Sequence, residues 1–436
     1  MAGRVSARRP LLARVATRLL TPTVFLAVLG GLQLFLLWEY RLIFGPWPAI
    51  VCAALWLGLL VSLARVDGHW KPKLAAISIL GMGTAIVPTV LGIIERARIG
   101  VSVEHDGLLQ IESAIDRLLA GQAIYGVDWS ATPMARLTWN LVPGGNPALH
   151  HFAYYPLTVL VGVPFRLLAG ALGLPFDYRI VLIAFALVAL AAVLAFPFAP
   201  DRRLMLVCAI LVNPLITLYL WPGRNDIEFL ACLLVCLTLM ARGRITLSAL
   251  ALGIAVALKP FAWPAVPFFM LVLYVRGQST RSMREPVTAL LAMALPAVLT
   301  ITPFFLINPS GFWDDIVRYT AGGTQHAYPI VGYGFGELLY QTGLIARRTD
   351  VFPFAIFQLA AMVPVLFFAS RAFLRRPTAG RWMAGYAALL LAFTFFARFF
   401  NDNYVGVVIT MFLCAGALGD QILTTVSARP AQRLAA

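Results

Sequence analysis

The chain has 436 residues, of which 34 are Lys or Arg and 19 are Asp or Glu, for a formal net charge of +15. With 61% hydrophobic and 12% charged residues and a mean hydropathy of +0.84, it lies far from soluble domains, which are about 25% charged. The basic residues fall in short gaps between apolar runs rather than in a basic domain with interleaved aromatics, which excludes a nucleic-acid partner and points to the bilayer.

Arg4, Arg8, Arg9, Arg14 and Arg18 precede the first apolar run. That run is too long for a signal-peptide core and has no small-residue cleavage site, so it reads as an uncleaved first helix. A membrane helix needs about 20 apolar residues, and such runs predict spans at 19–39, 47–65, 73–94, 179–198, 203–221, 226–241, 245–260, 261–275, 286–307, 352–371, 382–399 and 403–423. Twelve crossings place both termini on one side. With that side cytoplasmic, inner segments hold 21 of the 34 basic residues but only four of the 19 acids, which obeys the positive-inside rule. Two long outer loops follow, 95–178 and 308–351, and loops of that length usually carry function. The expected architecture is all-α and polytopic, one integral-membrane domain over 1–436, with an N-terminal helix pair at 1–72 and a core at 73–424. Lys259-Pro260 and Trp263-Pro264 interrupt one apolar stretch and should break it into two arms. The five cysteines lie within apolar runs and read as small hydrophobes, with no disulfide framework.

In the first outer loop, Leu108, Ile111, Ile115, Leu118 and Leu119 share one helical face, while Gln110, Ser113 and Arg117 point elsewhere. The spacing predicts an amphipathic helix lying along the membrane surface and ending at Gly121. Asp106 stands at its start. There it serves as an N-cap, as a base held ionised by the positive helix end, or as both. A second amphipathic helix is expected from Tyr155 to Leu172.

Asp106, Ala114, Leu118-Leu119, Gly121 and Tyr125, followed by Phe152-Ala153-Tyr154-Tyr155-Pro156-Leu157, resemble the first periplasmic loop of GT-C glycosyltransferases. The sequence is most similar to the polyprenol-phosphate-mannose-dependent mannosyltransferases of glycosyltransferase family 87. Gly223-Arg224-Asn225-Asp226, Lys259-Pro260 and Gln325-His326-Ala327-Tyr328-Pro329 extend the likeness over roughly 73–410. Two apolar spans stand ahead of the family pattern, and Leu157 occupies the place of its second proline.

The resemblance implies a bacterial cell-envelope enzyme that transfers a hexose, mannose in the family, from a polyprenyl-phosphate donor. The acceptor would be a lipid or polysaccharide hydroxyl on the extracytoplasmic face, and transfer would proceed with inversion. It implies Asp106 as general base, with Glu104 as competitor and His105 between them. Arg224, Lys259, His326 and Arg398 are candidates for the lipid phosphate, and Tyr155, Asn225, Asp226, Tyr328 and Asp402 for the substrates. Each has a plainer alternative. Lys259 could snorkel from a helix end, Asp226 and Glu228 could neutralise Arg224, and Asp402 could pair with Arg398 four residues before it. No cofactor is expected. A divalent metal among His105, His150, His151, His326, Glu104 and Asp106 lacks the ligand spacing of known sites. The competing readings are a transporter or flippase of lipid-linked sugars, and a GT-C transferase of an arabinosyl or aminosugar group.

Overall fold

The computed structural model describes residues 20–423 apart from 40, 65–69, 101, 138, 140–141 and 143–144; the cytoplasmic termini inferred from charge lie outside them. Every predicted span is helical. Apart from single turns at Arg41–Phe44, Pro133–Arg136 and Pro147–His150, the helices in chain order are α1 (Pro22–Glu39), α2 (Trp47–Ala64), α3 (Trp70–Ile99), α4 (Asp106–Leu119), α5 (Pro156–Ala171), α6 (Arg179–Leu194), α7 (Pro200–Val212), α8 (Pro214–Leu220) and α9 (Asp226–Ala241). There follow α10 (Ile245–Leu258), α11 (Pro260–Thr280), α12 (Arg284–Ile307), α13 (309–321), α14 (Phe335–Gln341), α15 (Phe354–Arg375), α16 (Ala379–Phe395) and α17 (Asp402–Leu418). The described residues add one pair of two-residue parallel strands, β1 (Val331–Gly332) and β2 (Phe399–Phe400).

Helices α1, α3, α11, α12 and α15 are long and apolar enough to cross a membrane, and α7 with α8 form a sixth span if a bent pair counts as one. A multi-pass membrane protein follows from these alone. The other six predicted spans are helices of 14 to 18 residues. At 1.5 Å per residue they reach about 21–27 Å, short of the roughly 30 Å hydrocarbon layer. Polar residues cap several of them: Asn225 and Asn401 precede the helices expected at 226–241 and 403–423, and Lys259 ends the one expected at 245–260. The span expected at 203–221 is bent by 42° between α7 and α8. There Pro214 lacks an N–H, and Asn213 accepts from Leu215 N–H while its amide donates to Ala209 O and Thr410.

Thirteen of the 16 residues of α9 are buried, so it is the centre of the bundle. It is flanked by α6 and α10. Helices α12 and α15 lie at the periphery, with only 6% of their apolar windows covered. Where α12 crosses α10 the backbones nearly touch: a Cβ at Gly253 would lie 2.2 Å from Met293 O. The N-terminal pair is not a separate unit. Phe25, Leu26 and Leu29 join the main core, Trp56 Nε1 donates to Leu26 O at 2.8 Å, and Thr217 Oγ1 donates to Gln33 at 3.1 Å.

Lys259 breaks the chain between α10 and α11 as the Lys-Pro pair predicts, with extended dihedrals of φ −154° and ψ 139°. Two carbonyls beside the break find partners on other helices. Thr158 Oγ1 donates to Leu258 O at 3.2 Å, and Tyr386 Oη donates to Phe261 O at 2.9 Å.

The segment expected to lie on a membrane surface is instead packed inside the protein. Nine of the 14 residues of α4 are buried, Gln110 and Glu112 among them. The reason is a partner that periodicity cannot reveal. Arg96, at the end of α3, grips both oxygens of Glu112 at 2.7 and 2.9 Å and reaches Glu104 at 2.9 Å and Asp177 at 3.2 Å. Arg179 then takes Asp177 at 2.6 Å and ties Gly92 O and Trp221 O. Gln110 donates to Ala148 O and His151 O. The helix does end as expected, with Gly121 at φ +70°. The second predicted helix appears as α5, with Pro156 in its first turn.

Breaking a buried ion network by removing one partner costs about 3–5 kcal/mol. Arg96→Met should therefore lower the thermal unfolding midpoint of detergent-solubilised protein by many degrees. An unchanged midpoint would show that the network does not secure α4.

Candidate active site

The long loops and broken helix ends meet around a cavity of about 550 Å³, a size typical of small-molecule sites. Its wall is built from the first turn of α4, the 148–155 segment, the α8–α9 turn, the break at Lys259, α13, and the ends of α15, α16 and α17. His105, Asp106, Tyr155, Arg224, Asn225, Lys259, Tyr328 and Arg398 all line it. Residues far apart in the chain are thus brought to one place.

The position of Asp106 rests on backbone contacts. His105 N–H donates to Pro222 O at 2.7 Å, which joins the start of α4 to the turn that carries Arg224. Gly223 permits that approach: its φ is +90°, and a Cβ there would strike the Leu108 side chain at 2.8 Å. The N-cap of α4 is His105, whose Nδ1 accepts from Gly107 N–H, so Asp106 is the first helical residue and not the cap. Asp106 Oδ1 nevertheless accepts from the same Gly107 N–H at 2.8 Å, and Oδ2 lies 3.5 Å from the Asn146 amide. His105 Nδ1 is also 3.0 Å from Asp106 Oδ1. It accepts from Gly107 when unprotonated and donates to Asp106 when protonated. Burial alone would raise the Asp106 carboxyl, but the adjacent His105, Gly107 N–H and Asn146 hold it below its usual value. It faces the cavity as a carboxylate.

The cations occupy the neighbouring wall. Lys259 Nζ lies 2.6 Å from Asp226 and 3.1 Å from Asn225, and Asn403 donates to the other Asp226 oxygen at 2.7 Å. The residue neither snorkels nor stands alone. Arg224 pairs through Nη1 with Asp402 at 2.6 Å, and its Nε is buried with no hydrogen-bond partner among the described residues. Asp226 therefore serves Lys259, while Glu228 accepts from Tyr178 Oη at 2.6 Å, so neither neutralises Arg224 directly.

Other sequence candidates sit elsewhere. Glu104 does not line the cavity; it is buried behind α4 between Arg96 and Arg136, which neutralise it. Arg398 lines the cavity, but its Nε, Nη1 and Nη2 donate to the carbonyls of Tyr328, Asp350 and Arg348. Burial lowers its guanidinium to about 10, and its task is to clamp the 328–350 loop; Asp402 is not its partner. Asp226 is one layer behind the wall, Asp402 lines an adjoining cleft, and exposed His326 stacks on His150 with ring centroids 3.9 Å apart. Among the described residues no three His, Cys, Asp or Glu side chains are grouped to hold a metal ion. His150 pairs with Asp128, and His151 with Asp315.

The cavity also recruits a residue with no sequence signal. Tyr319 is 1% exposed, stacks on His151 at 4.6 Å, and keeps its hydroxyl without a partner among the described residues. Buried polar groups are nearly always paired, and this hydroxyl and Arg224 Nε, each shielded from the cavity, are exceptions in its wall. The same lining includes the apolar side chains of Leu258, Phe261, Ile316, Val317, Phe354 and Phe393. Comparison of the chain with known family models, curated proteins and solved structures finds no match.

Because the Asp106 pKa is lowered on folding, its contribution to stability is complete above the unfolded carboxyl value of about 3.9 and is lost as pH falls through the lower folded value. The difference in unfolding free energy between wild type and Asp106→Asn, followed by denaturant titration from about pH 6 to about pH 3, should hold to about pH 4 and then shrink. A difference that grows on acidification would contradict the environment described for this carboxylate.

Proposed function

We propose that the protein is an integral-membrane glycosyltransferase of the GT-C type that takes a monosaccharide from a polyprenyl-phosphate donor. One observation carries the reading: a buried carboxylate, Asp106, lines a cavity that is also lined by Arg224 and Lys259 and by many apolar side chains. A lipid phosphate needs this mixture, with cations for its phosphoryl oxygens and apolar surface for the first isoprene units.

In this reading the cavity is extracytoplasmic, the twelve helical segments form the membrane body, and the Arg-rich segments face the cytoplasm. The acceptor hydroxyl attacks the anomeric carbon from the side opposite the phosphate. As the new C–O bond forms, Asp106 accepts the hydroxyl proton. The bond from the anomeric carbon to the phosphate oxygen breaks with its electron pair on oxygen, and one substitution inverts the centre. The developing phosphate charge is met by the Arg224 guanidinium and by the Lys259 ammonium. In this reading the amides of Asn225 and Asn403, which line the cavity, bond sugar hydroxyls. A hexose is the simplest donor sugar, and mannose is the one that the sequence resemblance implies. A transporter would place polar groups near the middle of the membrane between matched halves; these gather at one end of the bundle, which favours the enzyme.

Purified protein in lipid, supplied with radiolabelled polyprenyl-phosphate hexoses and membrane glycolipids, should transfer label. Asp106→Asn should slow transfer by about 100-fold or more, the usual contribution of a general base, while Arg224→Ala should also weaken donor binding. Transfer by Asp106→Asn at the wild-type rate would remove the base from the scheme.

A further inference from the structure

Beside the catalytic cavity lies a second cleft of about 400 Å³. His105, Trp139, Arg224, Tyr328 and Asn401 line both, so the two spaces adjoin at the start of α4. Their chemistry differs. The cleft has almost no aliphatic wall, and its remaining lining is Val331, Gly332, Tyr333, Glu337, Arg348 and Asp402.

We infer that this cleft is the acceptor site of the proposed reaction and that it takes an uncharged oligosaccharide chain. The inference rests on the transferase reading. Charge pairing supplies the first argument. Arg348 binds Glu337 at 2.5 Å, and Arg224 binds Asp402 at 2.6 Å. The pairs balance one another in charge within the cleft and offer many hydrogen-bond donors and acceptors. That arrangement fits hydroxyl groups, which both donate and accept.

Aromatic surface supplies the second argument. Trp139 meets Tyr328 edge to face at 5.5 Å, and Tyr333 is 70% exposed at the rim, where its ring can carry the C–H face of a sugar. The ring is not on a loose loop. Tyr333 N–H donates to Phe400 O at 2.8 Å, directly after β1 pairs with β2. Gly332, at φ +104°, lies so close that a Cβ would be 2.2 Å from Phe400 O. A preorganised aromatic lowers the entropic cost of binding.

Position supplies the third. His105 lines the cleft while its neighbour Asp106 lines the cavity, so a glycan seated on Tyr333 would point its terminal hydroxyl toward the base. The remainder of its chain would leave through the open side, away from the apolar wall.

The test is saturation-transfer NMR on detergent-solubilised protein with uncharged hexose disaccharides and trisaccharides, and a glucuronate disaccharide as the charged control. Wild type should bind the uncharged probes and not the glucuronate. Tyr333→Ala and Glu337→Gln should each weaken that binding about tenfold or more while leaving polyprenyl-phosphate binding at the wild-type level, which also confirms that the variants fold. Wild-type glycan affinity in both variants, absence of glycan binding, or preference for the glucuronate would overturn the assignment. Transfer with unaltered glycan affinity in the variants would sink the cleft and spare the transferase. Glycan binding at the cleft by a protein that transfers nothing would sink the transferase reading.

Discussion

The arrangement depends first on Arg96. A guanidinium at the end of a long apolar helix collects three carboxylates from two other segments, and Asp177 passes the linkage to Arg179 and so to the backbone of α3 and of the turn before Arg224. Charges buried in this way are favourable only when every partner is present. The network therefore fixes α4 against α3 and the start of α6 as one unit. Burial pushes the Glu112 carboxyl up despite its bonds to Arg96, a measure of the desolvation that the pairing must offset. Asp106 lies at the start of the helix that this network secures, and lines the cavity from there.

The site joins two kinds of surface that rarely meet. Part of its lining is aliphatic and aromatic; the rest carries a carboxylate, two cations and several amides and hydroxyls. The cations are not free charges. Asp226 and Asp402 hold Lys259 and Arg224 in place, which limits their movement.

Much of this was legible in the chain. Apolar runs located the helices because burial and lipid contact both demand them, and Lys259-Pro260 marked a break because proline cannot continue the ladder. The concentration of acids in two long loops pointed to the end where the cavity lies. What could not be read was partnership. Glu104 and Asp106 are two residues apart, yet one is sealed between arginines and the other lines the cavity. Their difference is decided by Arg96 and Arg136, at separations no periodicity records. The same holds for Arg398, which serves three carbonyls of a distant loop, and for Tyr319, one loop tyrosine among 13 in the chain. Periodicity sets Gln110 only off the apolar face of its helix; the backbone of the 148–151 segment takes it as a partner.

The interruption at Lys259 has a further meaning. An open backbone in a membrane is tolerated only where protein or water satisfies its polar groups. Here Thr158 from α5 and Tyr386 from α16 bond the carbonyls on either side. Those two hydroxyls act as bolts. They tie the floor of the cavity to helices on opposite sides, so the floor cannot straighten into continuous helix without stranding polar groups. A carrier that rocks between two faces would have to draw both bolts in each cycle. The floor is thus a pinned joint, held at the carbonyl on each side of the break.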